Sequence, residues 1–271
     1  MSDPENTPPV LTIEGARATI RFNRPKAMNR IEPDDLFVLM EAFDRVEADP
    51  AVRVLVLTGT GRAFSAGFDL RAVGAHSRDP RADGAPAVDP DDAPRRADIS
   101  FETVANRLEN VSVPTICRLN GGVYGGSTDL ALACDFRVGI DTMEMFMPAA
   151  RLGLHYYRSG MIRYVSRLGV AAAKRLFLTA QKVDAAELLR IGYLDACVPA
   201  ADLDARVDAL AAMLSANAPR AVASMKRSLN EISRGSADAS VIDARHHDSL
   251  RGDELKEGSA AFAEKRAPRF V

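Results

Sequence analysis

Two glycine-rich segments carry the residue types in this chain best suited to chemistry. The first spans Leu57 to Leu70 (LTGTGRAFSAGFDL) and the second spans Arg118 to Asp135 (RLNGGVYGGSTDLALACD), and each directly follows a predicted strand. Glycine lets a backbone approach a ligand closely and leaves N–H groups free to point at it. Because Gly125 and Gly126 precede an apolar helical run, the Gly126 N–H is predicted at a helix N-terminus, which favours developing negative charge. Either segment alone could equally be a tight turn without a ligand.

The two segments match neither common nucleotide-binding loop, and the histidines do not match a metal-binding motif. Neither segment has the Lys of a Walker loop, and GTGRAF lacks the third glycine of a dinucleotide loop. His246 and His247 have no Cys or third His at ligand spacing, so they are interpreted as surface residues and no metal site is predicted.

The elements that must position the glycine segments follow from the hydrophobic pattern. Residues 10–13 and 18–22 form a predicted hairpin, Pro33 begins a helix with an apolar stripe, and residues 52–57 (VRVLVL) form a strand covered on both faces. Further strands and helices alternate up to about residue 158. From Ser159 onward helices dominate, at 159–168, 170–179, 184–191, 202–216 and 219–232. This alternation predicts an α/β fold with a largely parallel sheet, followed by a helical part.

Composition and charge argue against nucleic-acid-binding, secreted and membrane proteins. The 271 residues carry 35 Lys plus Arg and 37 Asp plus Glu, a net charge of −2, which argues against general nucleic-acid binding. Cys117, Cys134 and Cys197 lie in separate apolar contexts, as in a reduced cytoplasmic protein. The sequence shows no signal-peptide pattern and no apolar run long enough to span a membrane.

Three regions are predicted along the chain. Residues 1–9 are interpreted as a disordered tail, residues 10–200 as the α/β core, and residues 201–271 as a C-terminal helical region. Within the core, residues 72–98 are rich in Pro, Asp and Ala and have almost no large apolar side chain. They are predicted to form a mobile surface excursion, because such a composition cannot offset its ordering entropy.

Taken together, four segments resemble the crotonase, or enoyl-CoA hydratase/isomerase, superfamily. They are FNRPKAMN (Phe22 to Asn29), VLTGTGRAFSAGFDL, PTICRLNGGVYGGSTDLALACDFRVG and EGSAAFAEKRAPRF (Glu257 to Phe270), and they occur in the family's order and spacing. The resemblance implies a crotonase-like (ClpP/crotonase) spiral of ββα units with a helical C-terminal trimerisation part. It also implies a homotrimer or a dimer of trimers.

The resemblance further implies a bound acyl-CoA substrate, with no cofactor beyond the coenzyme A of that substrate. Carried over by motif, the oxyanion hole would be the N–H groups of Ala66 and Gly126. Two such donors stabilise the enolate of a thioester, and the loss of one typically costs about 3 kcal/mol of barrier. The CoA contacts implied are Arg24, Lys26, Ala27 and Phe64, with Phe262 and Lys265 reaching CoA from a neighbouring subunit.

The chain departs from the family where hydratases carry two Glu that activate water. The first Glu position is Asp129 and the second is Ala149, so one carboxylate is missing. A single carboxylate can still move one proton, as double-bond isomerisation requires. Downstream, His155 and Tyr156 could donate a proton, and a Tyr occupies the place of Tyr156 in methylmalonyl-CoA decarboxylases of this family. The His of those enzymes aligns with Arg71, and Arg71 or Arg158 could hold a substrate carboxylate.

The leading prediction is therefore an acyl-CoA enzyme of the enoyl-CoA hydratase/isomerase group, with Asp129 as the acid/base and the oxyanion hole stabilising an enolate. Two alternatives stay open: a decarboxylase or hydrolase of a CoA ester that uses His155 and Tyr156, and a non-catalytic acyl-CoA-binding protein. A serine peptidase of the related Clp fold, with Ser65 as nucleophile, is disfavoured because the chain has no GxSxG elbow.

Overall fold

Two sheets and a set of helices form the part of the chain that a computed structural model describes, namely residues 6–69, 71 and 99–270. The strands are β1 (Thr7–Glu14), β2 (Arg17–Asn23), β3 (Val54–Gly59), β4 (Ala63–Ser65), β5 (Thr115–Leu119), β6 (Gly122–Tyr124), β7 (Phe136–Ile140), β8 (Glu144–Phe146), β9 (Lys182–Asp184) and β10 (Ala196–Val198). The helices are α1 (Pro33–Ala48), α2 (Phe101–Glu109), α3 (Gly126–Ala133), α4 (Arg158–Thr179), α5 (Ala185–Arg190), α6 (Leu203–Ser215), α7 (Pro219–Ser233), α8 (Ala239–Ser249) and α9 (Asp253–Glu264).

The larger sheet is covered on both faces. Its order is β1-β2-β3-β5-β7-β10, antiparallel between β1 and β2 and parallel elsewhere. Leu55 and Leu57 of β3 pack into the main core with α1 and α2, whereas Val54 and Val56 pack on the other face against α6. Burial on both faces explains why residues 54–57 of β3 are all apolar.

The smaller sheet positions the glycine segments. Its order is β4-β6-β8-β9, and β4, β6 and β8 are parallel. The successions β5-β6-α3 and β7-β8-α4 are the ββα units that were predicted. Because parallel strands end at the same edge of a sheet, the turns that follow β4 and β6 lie side by side.

Most predicted elements are confirmed, and the differences lie in short strands and boundaries. Gly169 (φ 78°) interrupts α4 where a break between two helices was predicted. β1 begins at Thr7, so residues 7–9 belong to a strand rather than to the predicted tail, and residues 1–5 lie outside the described residues. The predicted excursion at 72–98 also lies outside them.

Four three-residue strands were not predicted. β4 and β6 lie in segments interpreted as turns, and β9 and β10 lie in the region predicted to be almost wholly helical. Each is too short to show a clear alternation of apolar and polar residues. β4, β6 and β9 belong to a sheet made only of three-residue strands, and β10 pairs with β7, so each depends on partners elsewhere in the chain.

Candidate active site

The turn after β4 exposes a different amide from the one predicted. Ala66 N–H donates to the Met28 carbonyl oxygen at 2.7 Å, so it is already engaged and the prediction for Ala66 is corrected. Gly67 N–H donates to Ser65 Oγ at 3.1 Å. The Phe68 N–H is the next along the chain, and among the described residues it has no acceptor.

The backbone geometry explains why Phe68 presents its amide. Ile31 forms an isolated parallel bridge with Phe68, in which Ile31 N–H donates to the Gly67 carbonyl and Asp69 N–H donates to the Ile31 carbonyl. Amides alternate in direction along an extended segment, so the Phe68 N–H points away from Ile31. It therefore points to the side opposite the Asp69 amide.

The Gly126 amide lies at a helix N-terminus, as the sequence predicted. Gly126 begins α3, and its N–H has no acceptor among the residues the structure describes, as expected of a first-turn helix amide. Gly67 allows the two turns to meet, because a Cβ there would lie 2.6 Å from the Tyr124 carbonyl oxygen and 3.2 Å from the Gly126 nitrogen. Gly67 also has φ +94°, which L side chains rarely adopt. The Phe68 and Gly126 amides thus belong to turns in direct contact.

Asp129 is buried in an ion pair. Its side chain is 0% exposed, and its Oδ2 accepts from Arg163 Nη1 and from the Tyr157 hydroxyl, each at 2.5 Å. Its Oδ1 is buried and has no hydrogen-bond partner among the described residues. A substrate cannot reach this carboxylate directly in this arrangement, and Tyr157 is the neighbouring group that lies only partly buried.

Arg163 is itself held by a second buried carboxylate. Its Nε donates to Glu109 Oε1 at 3.0 Å, and Glu109 also accepts from Arg167 and Arg234 at 3.1 Å each. Burial alone would raise the pKa of Glu109, but these guanidinium groups outweigh it and hold the pKa below its ordinary value. Burial alone would lower the pKa of Arg163, but Asp129 and Glu109 raise it above the ordinary value.

Two stacked tyrosines join Asp129 to the loop before α4. The rings of Tyr156 and Tyr157 lie 4.3 Å apart, and the Tyr156 hydroxyl donates to the Tyr157 hydroxyl at 3.1 Å. Burial raises the pKa of both phenols well above the usual range, and the Asp129 charge adds to this effect, so both stay protonated donors at neutral pH. Tyr156, which was predicted at the site, therefore reaches Asp129 only through Tyr157.

Three other sequence-predicted groups stand apart from this network. His155 is exposed, and its Nδ1 lies 2.9 Å from the Tyr156 carbonyl oxygen. Arg71 is exposed and forms an ion pair with Asp69 at 3.0 Å. Arg158 is exposed at the first position of α4 and forms no ion pair with any other described residue.

Neither Ala149, at the position of the family's second Glu, nor Ser65 offers a reactive group to a substrate. Ala149 is 4% exposed and begins a short 3₁₀ turn after Pro148, so no acid stands there. Ser65 is fully buried and donates to the Asn29 carbonyl at 2.7 Å. Its hydroxyl is a structural group rather than an accessible nucleophile.

The predicted CoA contacts separate into buried and exposed groups. Arg24 is 9% exposed and forms an ion pair with Asp35, and Phe64 is 0% exposed with its ring edge-on to Phe22. Neither is available to a ligand in this structure, so these two predictions are corrected. Ala27 is half-buried and Lys26 is exposed on the short turn before α1.

The C-terminal pair predicted to reach a neighbouring subunit lies on the surface. Phe262 on α9 is 88% exposed, and Lys265, which caps that helix, is also exposed. The predicted surface histidines, His246 and His247, are exposed on α8. No described helix is both long and apolar enough to cross a membrane.

Comparison with known proteins identifies the family. The family profile described as enoyl-CoA hydratase/isomerase matches residues 12–271. The carnitinyl-CoA dehydratase of Escherichia coli is 34% identical over 269 residues, which cover 95% of this chain and 96% of that protein. This chain belongs to the enoyl-CoA hydratase/isomerase family. Another relative, a probable enoyl-CoA hydratase of Mycobacterium tuberculosis, is 30% identical over 262 residues, 93% of each chain.

Solved structures agree with this assignment. DspI of Pseudomonas aeruginosa is 28% identical with a TM-score of 0.82, over 100% of this chain and 99% of that one. An enoyl-CoA hydratase/carnithine racemase of Magnetospirillum magneticum is 26% identical with a TM-score of 0.84, over 97% and 95%. The crotonase-like fold and family predicted from the four segments are confirmed.

Sequence reasoning missed three residues of the candidate site. Phe68 was missed because only backbone pairing shows which amide is free. Tyr157 was passed over in favour of its neighbour, although both lie in the same unusual HYYR cluster. Arg163 offered a signal, since a charge beside Tyr164 on a helix that packs on the core requires a buried partner.

Proposed function

We propose that this chain forms and stabilises the enolate of an acyl-CoA thioester and moves one proton on it. The observation that carries the proposal is a pair of amides, Phe68 N–H and Gly126 N–H, that lie on two contacting turns and have no acceptor within residues 6–69, 71 and 99–270. A thioester oxygen gains negative charge as its α-carbon loses a proton. Two fixed donors stabilise that charge, and each is worth about 3 kcal/mol of barrier.

In this proposal Tyr157 touches the substrate and Asp129 acts through it. The Cα–H bond breaks, its electron pair passes to the thioester oxygen, and the proton goes to the Tyr157 oxygen. The Tyr157 proton passes at the same time to Asp129 Oδ2, with which it already forms a hydrogen bond. The reverse transfer to another carbon of the same substrate completes a double-bond isomerisation.

Isomerisation fits this arrangement better than hydration by two carboxylates. Hydration in the family pattern needs a second acid to hold the attacking water, and Ala149 cannot do so. A single phenol–carboxylate pair can remove one proton from carbon and return one proton to another carbon, which is all that isomerisation requires.

A second candidate is decarboxylation of a malonyl-type CoA ester, favoured by Arg158. This cation has no ion-pair partner among the described residues and directly follows Tyr157. In that reaction the bond between the α-carbon and the carboxylate breaks, CO₂ leaves, and the electron pair forms the same enolate. A tyrosine phenol then gives its proton to the α-carbon, and the resulting phenolate takes a proton from solvent.

Solvent exchange tests the proposal without knowledge of the natural acyl group. Butyryl-CoA in deuterium oxide should gain deuterium at its α-carbon, as measured by mass spectrometry, because the enolate forms reversibly and takes back a deuteron once the Tyr157 proton has exchanged with solvent. Tyr157→Phe and Asp129→Asn should each slow exchange by about 100-fold or more. The matched control is Tyr124→Phe, since the Tyr124 hydroxyl donates to Glu144 rather than to Asp129.

Assays with different CoA esters then distinguish isomerisation, decarboxylation and the non-catalytic alternative. Faster turnover of a 3-enoyl-CoA than of crotonyl-CoA supports isomerisation, and CO₂ release from methylmalonyl-CoA supports decarboxylation. A wild type that binds CoA esters but neither exchanges nor converts any of them would establish the non-catalytic alternative. Undiminished exchange in both site variants would refute the roles given to Tyr157 and Asp129.

The nucleotide end of CoA and the assembly belong to the same proposal. In this proposal Lys26, which is exposed, contacts a phosphate of CoA. Phe262 and Lys265, also exposed, reach CoA bound by a neighbouring subunit of a trimer or a dimer of trimers. The 88% exposure of the Phe262 ring supports this, because a large aromatic ring is stabilised by burial against a partner.

A further inference from the structure

Two serine hydroxyls join the turns that carry the Phe68 and Gly126 amides. Ser127 Oγ donates to Ser65 Oγ at 2.6 Å, and both side chains are 0% exposed. Ser65 Oγ also accepts from Gly67 N–H at 3.1 Å and donates to the Asn29 carbonyl at 2.7 Å. The Ser65 hydroxyl is thus the point where three backbone segments meet.

The Gly67 bond acts directly on the peptide next to Phe68. A hydrogen bond to the Gly67 nitrogen fixes the start of the short segment that ends at the Phe68 amide. On its far side this segment is held by Met28 and Ile31, through Ala66 N–H and the Gly67 carbonyl. The hydrogen bond between Ser65 and Ser127 holds the same segment on its other side, against α3.

The other turn is anchored independently of the serines. Thr128 Oγ1 donates to the Gly125 carbonyl at 2.7 Å and accepts from the Tyr164 hydroxyl at 2.6 Å. The Tyr193 hydroxyl donates to the Thr128 carbonyl at 2.8 Å. Gly126 therefore starts a helix turn that is rigid on its own, and Ser127, the next residue, connects it to Ser65.

We propose that Ser65 and Ser127 are positioning residues that set the spacing of the Phe68 and Gly126 amides without touching substrate. This inference rests on the proposed enolate-stabilising function. Oxyanion donors act only when they are fixed at the place where charge develops, and a displacement of about 1 Å can cost about 100-fold in rate. Because Ser65→Ala leaves Gly67 N–H and Ser127 Oγ without their partner, the Phe68 turn should move relative to α3.

The effect should appear in the transition state rather than in binding. Ser65→Ala is expected to lower kcat by about 10- to 100-fold with little change in KM, because the lost interaction strengthens only as charge develops. Ser127→Ala should have a smaller effect, since Gly67 N–H keeps its bond to Ser65. The double variant should lose less than the product of the two single losses, because both changes break the same contact.

A spectroscopic probe separates positioning from general structural damage. A cinnamoyl-CoA with a para-dimethylamino group absorbs further to the red when its thioester carbonyl accepts hydrogen bonds. The matched control is Thr115→Val, which removes a buried hydroxyl bonded to Asp135 at 2.9 Å beyond the far end of α3. Urea unfolding ranks the stability of every variant.

The wild type and Thr115→Val should show the full red shift, and Ser65→Ala should lose most of it at saturating probe. A full shift in Ser65→Ala would overturn the positioning role while leaving the proposed function intact. A wild type that binds the probe without a shift would instead overturn the oxyanion assignment and the positioning role with it. If Ser65→Ala does not fold, Ser127→Ala decides the matter, and an undiminished shift and kcat in that variant overturn the proposal.

Discussion

Replacement of Arg163 by Met is expected to destabilise the protein strongly through Asp129. The Arg163 side chain is 1% exposed and is the cation on the fully buried Asp129, at 2.5 Å. Met fills most of the volume. Within the described part of the chain, however, it leaves Asp129 Oδ2 with only the Tyr157 hydroxyl, and Asp129 Oδ1 already lacks a partner there. Glu109 is less affected, because it keeps Arg167 and Arg234.

The expected magnitude follows from this difference between the two carboxylates. Removing one partner of a buried ion pair costs about 3–5 kcal/mol of unfolding free energy. Asp129→Asn should cost about 1–3 kcal/mol, because Arg163 keeps Glu109 as its counter-charge. The double variant Arg163→Met/Asp129→Asn has no orphaned charge, so it should cost about 2 kcal/mol less than the sum of the single changes.

Urea unfolding followed by circular dichroism, at one fixed protein concentration, measures these differences. Arg17→Met is the matched control, since Arg17 pairs at 2.6 Å with an Asp208 side chain that is 61% exposed, and it should cost less than about 1 kcal/mol. If Arg163→Met costs no more than this control, or if the double variant equals the sum of the singles, Arg163 is not the counter-charge of Asp129.

Three further results are expected. Gly67→Ala should abolish measurable α-carbon exchange, because its Cβ would lie 2.6 Å from the Tyr124 carbonyl oxygen. The control Gly153→Ala (φ +67°, with open space around it) should lower the unfolding free energy by only about 1 kcal/mol and keep exchange. The pKa of Glu109 is lowered in the folded state, so its contribution to stability is present above about pH 4.5 and lost as the pH falls through the folded value. The difference in unfolding free energy between wild type and Glu109→Gln should therefore narrow below pH 4.5, and a constant difference in urea titrations would contradict this. Phe262→Asp should reduce the mass seen in sedimentation velocity with an unchanged circular dichroism spectrum, and an unchanged mass would exclude the ring from the subunit interface.

Long elements were predictable because each carries its own periodic signal. The apolar stripe after Pro33 and the β-branched residues of β3 specify α1 and a two-sided strand before any tertiary contact is considered. β4 and β6 were not predictable, because three residues hold too little pattern and their backbone partners are distant in sequence. The same holds for Arg24, whose charge suggested a phosphate contact until Asp35 was found beside it.

By itself, the order of the four motifs determined the family, the fold and the two turns that meet, since glycine tolerates the positive φ and the close backbone approach that such turns need. The absence of a second acid was also determined at that level, because Ala149 cannot supply a carboxylate in any fold. Only the tertiary structure decided that the Ala66 amide is consumed by Met28 while Phe68 presents its own. It likewise decided that Asp129 is covered by Tyr157 and Arg163, because hydrogen-bond direction and burial depend on groups that are far apart in the chain.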